Sequence, residues 1–140
     1  MTFEEVKKVV PYAIESEWHQ HQNGGGWVQD TAYVSGNARV YGNACVYGNA
    51  QVSGNARVSG NAWVTSPLYI QPSAHAVTVS SYTEVSIGCK RHSVEWWLEH
   101  YEEVGNAEKY TDSQIDEYGI VLKFVKQWME TFMVKLAFNA

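Results

Sequence analysis

The sequence has few cysteines and no long apolar run. Its two cysteines, Cys45 and Cys89, are too few for a disulfide framework. No stretch reaches the roughly 18 consecutive apolar residues that a membrane-spanning helix needs. The first residues, MTFEEVKKVVPY, have no apolar segment typical of a secretion signal. We therefore expect a soluble, cytoplasmic protein that does not associate with membranes.

Basic charge is also scarce. The 140 residues carry 10 Lys and Arg against 15 Asp and Glu, a formal net charge of −5. This balance argues against nucleic acid as a partner, because binding to phosphates requires a basic surface. Acidic residues concentrate toward the C-terminus, around Glu99, Glu102 and Glu103. An acidic surface of this kind favours a basic partner protein.

What the sequence has in abundance is a six-residue repeat with the pattern V-x-G-N-A-x. Within each A-x-V step, Ala and Val point to one side and the residue between them to the other. Each Gly-Asn pair tolerates the positive φ of a sharp corner. Six residues therefore form one short strand and one bend. The valines recur in strict register at Val28, Val34, Val40, Val46, Val52, Val58 and Val64.

Strands this short cannot bury a face alone, so the repeat predicts a coil that stacks on itself. The repeat resembles the hexapeptide family of left-handed parallel β-helices, which includes trimeric acyltransferases and gamma-type carbonic anhydrases. The stretch GGWVQDTAYVSGNARVYGNA more closely resembles a group of phage and prophage proteins without a known activity. This resemblance implies a coil of three units, or eighteen residues, two to three coils in total, and a bacterial host.

The predicted fold is mainly β with α. An N-terminal helix and linker span residues 1–27, and a short left-handed parallel β-helix with irregular closing strands spans 28–90. Two C-terminal helices, one of them long, occupy 91–140 within a single compact domain. Thr2, Ser93 and Thr111 have the sequence context of helix N-caps, and the helix after Ser93 is predicted to end at Gly105.

Residues eighteen apart should stack on one face of such a coil. Arg39 then lies over Arg57 with Tyr41 beside them, and Cys45 lies over Trp63 with Tyr47 nearby. Two stacked guanidinium groups could hold a phosphate or a carboxylate, or they could simply be the outward residues of equivalent repeats. The candidate ligand-binding or partner-binding residues are Arg39, Arg57, Tyr41, Trp63, Tyr47, Glu99, Glu102 and Glu103.

The last helix has apolar residues at alternating spacings of three and four, as in a heptad pattern. This seam could pack against the preceding helix and the coil of the same chain, or it could join symmetry-related copies. In both cases a small core favours a homo-oligomer, and the family resemblance favours a trimer over a dimer. The seam residues are Ile115, Tyr118, Leu122, Val125, Met129, Phe132 and Leu136.

Evidence for chemistry in the sequence is weak. Cys89 and His92 are spaced like half of a zinc site, but a structural role for both accounts for their spacing equally well, so we predict no metal. An acyltransferase of the hexapeptide family would need a catalytic His, and His75 is the only one near the repeat. We therefore predict no catalytic residues and no cofactor.

The favoured hypothesis is a non-enzymatic, oligomeric binding protein. The phage resemblance suggests that it docks on a host protein as an inhibitor of a defence or regulatory system. The alternative is a small-ligand protein that sequesters a nucleotide or an anionic metabolite in grooves between subunits. A degenerate hexapeptide acyltransferase is a further alternative.

Overall fold

The computed structural model describes residues 2–59 and 62–133. A 3-10 turn at Glu15–Glu17 precedes β1, and a π-helical turn at Met129–Met133 follows α3. Helices and strands occur in the order α1 (Phe3–Val9), β1 (Trp18–Gln20), β2 (Trp27–Gln29), β3 (Tyr33–Val34), β4 (Arg39–Val40), β5 (Cys45–Val46), β6 (Gln51–Val52), β7 (Arg57–Val58), β8 (Ala62–Trp63), β9 (Tyr69–Ile70), β10 (Val77–Val79), β11 (Val85–Ile87), β12 (Lys90–His92), α2 (Val94–Ala107) and α3 (Asp112–Trp128).

The repeat strands stack in parallel at a spacing of eighteen residues. Val28 lies opposite Val46, and β3 and β4 pair in the same way with β6 and β7. The chain thus visits three small sheets in turn and returns to the first after one coil. The inward valines and alanines form the core, because alternate residues of each strand point to the same side. These strand pairs confirm the predicted coil length of eighteen residues.

The stacking changes register at the end of the repeat. Val46 of β5 lies opposite Trp63 of β8, so the spacing shortens from eighteen residues to 63 − 46 = 17. Trp63 is consequently buried, at 1% exposure, whereas Val64 is 47% exposed. The indole buries far more apolar area than a valine side chain would. The predictions of an inward Val64 and an outward Trp63 are therefore wrong, and Trp63 does not line a binding surface.

An antiparallel sheet covers the end of the coil. Its strand order is β12-β11-β10-β9, and β10 lies beside β7, where the Ser59 amide donates to the Ser80 carbonyl at 2.8 Å. The sequence predicted only one or two irregular closing strands. A glycine corner at Gly88, with φ of 59°, turns β11 back into β12, and this hairpin extends the sheet to four strands.

Helix α1 covers one outward face of the coil. Thr2 forms a capping box with Glu5, as predicted from the sequence. Phe3 and Val6 are buried together with Trp18 and Cys45 in a second, smaller core. This cover accounts for the aromatic residues that the repeat points outward on this face, including Tyr47, whose ring lies 6.1 Å from that of Trp18. Tyr47 is therefore mainly a packing residue.

Helices α2 and α3 pack closely against each other. Ser93 and Thr111 cap them as predicted. A Cβ atom on Gly105 would lie 2.8 Å from Cγ1 of Ile115, so this glycine allows the close approach of the two helices. The predicted helix end at Gly105 is two residues early, because Gly105 serves this contact and α2 continues to Ala107.

The predicted oligomer seam lies largely inside the chain. Tyr118, Leu122, Val125 and Met129 are buried in the same core as the valines of the repeat. The Tyr118 hydroxyl donates to the His75 carbonyl at 2.5 Å, which ties α3 to the closing sheet. These four side chains are therefore not available to symmetry-related copies. Ile115 is half-buried, Phe132 is exposed, and Leu136 lies outside the described residues.

Candidate functional site

The stacked arginines lie on an outward face of the coil. Arg39 of β4 lies directly opposite Arg57 of β7, as predicted, because Val40 and Val58 next to them point into the core. The Arg39 guanidinium lies 5.6 Å from the centre of the Tyr41 ring. Within the described ranges, neither arginine has a carboxylate at ion-pair distance. We call the surface formed by Arg39, Arg57 and Tyr41 the arginine face.

A third arginine, Arg91 of β12, completes this face and was missed in the sequence. Its Nη1 donates to the Tyr41 hydroxyl at 3.0 Å and to Ser59 Oγ at 2.9 Å. Its Nε lies 3.5 Å from a carboxylate oxygen of Glu84, so its charge is partly compensated. No local pattern indicates this placement, because it depends on how the β11–β12 hairpin packs beside the coil.

A groove opens where the arginine face meets the closing sheet. Its volume is about 390 Å³, and its polar lining comprises Asn37, Asn55, Arg57, His75 and Cys89. The two asparagines come from equivalent Gly-Asn corners on successive coils, whereas His75 precedes β10 and Cys89 lies between β11 and β12. We call this cavity the His75 groove.

The position of His75 is set by three contacts. Its Nδ1 is hydrogen-bonded to the Tyr110 hydroxyl, its carbonyl accepts from Tyr118, and its ring lies against Gly88, where an added Cβ would be 3.1 Å from Cδ2. Because Nδ1 is occupied by Tyr110, Nε2 remains for a further hydrogen bond. The contact with Gly88 also holds the β11–β12 hairpin beside the groove.

The two cysteines have opposite surroundings. Cys45 is buried under α1, and burial raises the pKa of its thiol to about 11. Cys89 is exposed and lines the His75 groove. The thiol of Cys89 is therefore accessible to solvent, whereas that of Cys45 remains protonated near neutral pH.

The structure does not bring Cys89 and His92 together into a metal site. Cys89 lines the His75 groove, whereas the ring of His92 stacks on Trp96 with centroids 3.6 Å apart. Among the described residues, no group of three or more His, Cys, Asp or Glu side chains could hold a metal ion.

The helical part of the chain presents two further surfaces. The acidic residues Glu99, Glu102 and Glu103 are exposed on α2, as predicted. On α3 and the π-helical turn that follows it, the side chains of Ile120, Phe124 and Phe132 are exposed by 69%, 51% and 48%. We call these three residues the apolar stripe. It lies beside the buried seam, and the heptad analysis did not single out Ile120 or Phe124.

The similarity of this chain to a known protein family is confined to the repeat. Residues 32–48, 38–52 and 50–65 match a family model described as YdcK Beta solenoid repeat, and these segments carry Arg39, Tyr41 and Arg57. No curated protein and no solved structure matches the chain. None of the described helices combines the length and apolar character needed to cross a membrane. The repeat of this mainly β chain, which also contains α-helices, is thus a β-solenoid repeat.

Proposed function

We propose that this protein is a non-enzymatic binding protein that forms a homo-oligomer and docks on another protein. The apolar stripe carries the proposal. Exposed Ile and Phe side chains at helical spacing lose stabilising burial unless a partner covers them. The opposite side of α3 already packs on the chain's own core, so the stripe is the part of this helix that remains for association.

A second copy of the chain is the occupant that the stripe favours. In an antiparallel pair formed by α3 and its following π-helical turn, centred on Lys126, Ile120 would lie opposite Phe132, because the two positions are equally far from the centre in the sequence. Lys123 would then lie within one residue of Glu130 of the second copy, and two such charge pairs would flank the interface. The contact is isologous, because each copy presents the same residues to the other.

The docking partner is proposed from the acidic surface of α2. Glu99, Glu102 and Glu103 have no ion-pair partner among the described residues. Unpaired surface carboxylates of one sign favour encounter with a basic protein surface. The resemblance of the repeat to phage and prophage sequences supports a host protein in the bacterial cytoplasm as that partner, with inhibition of a defence or regulatory system as the consequence.

Two finer features rest on the family resemblance alone. We infer a left-handed coil, as in the hexapeptide family, and that family also favours a trimer. An antiparallel helix pair would instead give a dimer. The measured mass of the assembly separates these two forms.

Analytical ultracentrifugation of the wild-type chain, Phe124→Lys and Val64→Lys tests the assembly. Both substitutions replace an exposed apolar residue with the same charged residue. We expect a dimer or trimer for the wild type and for Val64→Lys, and a folded monomer for Phe124→Lys. A wild-type chain that stays monomeric at micromolar concentration would contradict the proposal.

The docking surface is tested with the assembled protein. Once a partner has been identified by crosslinking in host cells and purified, Glu102→Lys with Glu103→Lys should weaken its binding. Reversal of Glu15 and Glu17, which are exposed elsewhere and have no ion-pair partner among the described residues, is the matched control. Equal binding by both double variants would argue against the acidic surface.

A further inference from the structure

We propose that the His75 groove binds a small metabolite through an anionic group, a phosphate or a carboxylate, held by Arg57. None of the residues that line this site belongs to the apolar stripe or to the acidic surface used in the proposed assembly and docking. It therefore adds a ligand to the function proposed above and does not depend on that function.

The charge of the groove favours an anion. Arg57 is half-buried, and its position is fixed by strand pairing with Arg39 and by a hydrogen bond from its amide to Thr78 Oγ1 at 3.3 Å. Its guanidinium has no carboxylate partner within the described part of the chain. A partly desolvated guanidinium gains most from a charge-assisted, bidentate hydrogen bond to an oxyanion. None of the described residues that line the groove is an Asp or a Glu.

Two carboxylates close to the groove, Glu108 and Glu117, are already engaged, and Glu117 accepts hydrogen bonds from Ser73. Glu108 lines an adjoining cavity that shares His75 and Cys89 with the groove. Its Oε1 accepts a hydrogen bond from Lys90 Nζ at 2.9 Å, so the pair is neutral overall. Among the described residues that line the groove itself, Arg57 is the permanently charged one.

Neutral donors surround the guanidinium. Asn37 and Asn55 occupy equivalent corners on successive coils, where their backbones are held: the Asn37 amide donates to the Gly54 carbonyl at 2.9 Å, and the Asn55 amide donates to the Tyr69 hydroxyl at 3.2 Å. The side-chain amides of both asparagines make no hydrogen bond to other described residues. Two carboxamides, stacked one coil apart beside an arginine, supply the remaining donors that an oxyanion requires.

His75, which also lines the groove, provides a further donor. When the Tyr110 hydroxyl donates to Nδ1, the proton of the neutral imidazole lies on Nε2. That N–H can then donate to an anion in the groove. The groove volume of about 390 Å³ lies at the lower end of the range for small-molecule sites, which favours a small metabolite over a polymer.

Cys89 makes the occupancy of the groove measurable. The folded wild-type protein is treated with iodoacetamide, and mass spectrometry follows the alkylation of Cys89. The probes are inorganic phosphate, AMP and malonate, each added at increasing concentration. We expect at least one probe to slow the alkylation of Cys89 several-fold and saturably. Protection by phosphate and AMP alone identifies a phosphorylated ligand, and protection by malonate identifies a carboxylate.

Arg57→Gln, with Arg39→Gln as the matched control, tests the assigned residue. Arg39 occupies the equivalent position one coil away and does not line the groove. We expect the concentration needed for protection to rise about tenfold or more in Arg57→Gln, as for the loss of a charge-assisted hydrogen bond, and to stay unchanged in Arg39→Gln. Arg57→Lys, which keeps the charge but loses the planar fork, should lie between the two.

The proposal is overturned if none of the probes changes the alkylation rate, or if both Gln variants respond alike. Circular dichroism confirms that each variant is folded before the rates are compared. The Phe124→Lys chain should show the same protection as the wild type. Because Phe124→Lys disrupts only the proposed assembly, this result separates a wrong ligand-binding proposal from a wrong assembly proposal.

Discussion

Trp63 lies opposite Val46 and occupies the core position that the six-residue repeat assigns to Val64. Replacing Trp63 by Ala should lower the free energy of unfolding by about 3–5 kcal/mol, because it removes a fully buried indole. Val64→Ala should change it by less than about 0.5 kcal/mol, since Val64 is exposed. Urea denaturation measures both. The reverse ranking would mean that the eighteen-residue register continues to the end of the repeat.

The glycine corners of the coil should differ in their tolerance of a side chain. Gly36 and Gly42 have φ of 65° and 62°, but a Cβ on Gly36 would lie 3.1 Å from the Gly54 carbonyl oxygen, whereas nothing lies within 4 Å at Gly42. Gly42→Ala should therefore cost only the backbone strain, about 1–2 kcal/mol. Gly36→Ala should cost more, because the neighbouring coil would have to move. Chemical denaturation measures the free energy of unfolding of both variants. An equal decrease for Gly36→Ala and Gly42→Ala would show that the neighbouring coil moves away from Gly36 without cost.

Glu117 should make stability depend on pH. Its Oε1 accepts from the Ser73 hydroxyl at 2.6 Å and from the Ser73 amide at 3.1 Å, and these hydrogen bonds lower the pKa of the Glu117 carboxyl. A lowered folded-state pKa stabilises the protein above the unfolded-state pKa, about 4.3, and this stabilisation is lost as the pH falls through the folded-state pKa.

Glu117→Gln should accordingly lower the Tm at neutral pH and have little effect at a pH below the folded-state pKa. Thermal unfolding followed by circular dichroism measures this difference. Glu99→Gln is the control, because Glu99 is exposed and makes no ion pair among the described residues. A Tm difference that stays constant with pH would contradict the assigned role of the Ser73 contacts.

Treatment with a metal chelator should leave the thermal stability of the protein unchanged. Cys89 lines the His75 groove, and His92 is stacked on Trp96, so the two do not form half of a zinc site. We expect the same Tm with and without a chelator, and no stoichiometric zinc by elemental analysis. One zinc per chain would overturn this interpretation.

The buried seam and the apolar stripe of α3 should respond differently to charge. Leu122→Lys with Met129→Lys places two unpaired charges in the core, so we expect an unfolded or aggregated chain by circular dichroism. Phe124→Lys changes an exposed position on the same helix and should stay folded. A folded, monomeric double variant would restore the hypothesis that these two residues join separate copies.

The sequence by itself determined the features that depend on neighbouring residues. The alternation of Ala and Val with Gly-Asn corners specifies a short strand and a bend every six residues, because side-chain direction and corner φ are local properties. The helix starts after Thr2, Ser93 and Thr111 could be predicted for the same reason, since a cap bonds to amides within one turn. The stacking of strands eighteen residues apart, from Val28 to Val58, is what the family resemblance implied and what the strand pairs have. The opposition of Arg39 and Arg57 followed from the six-residue period together with the three-unit coil that the family resemblance implies.

Only the tertiary structure decided how these segments meet. The register change at Trp63 depends on how the last strand of the coil pairs with β5. The burial of Leu122 depends on the packing of α3 against the valine core of the same chain. The His75 groove joins Arg57 of the repeat to His75 and Cys89 of the closing sheet. Hydrophobic burial is non-directional, so an apolar pattern shows that a face will be covered without specifying what covers it.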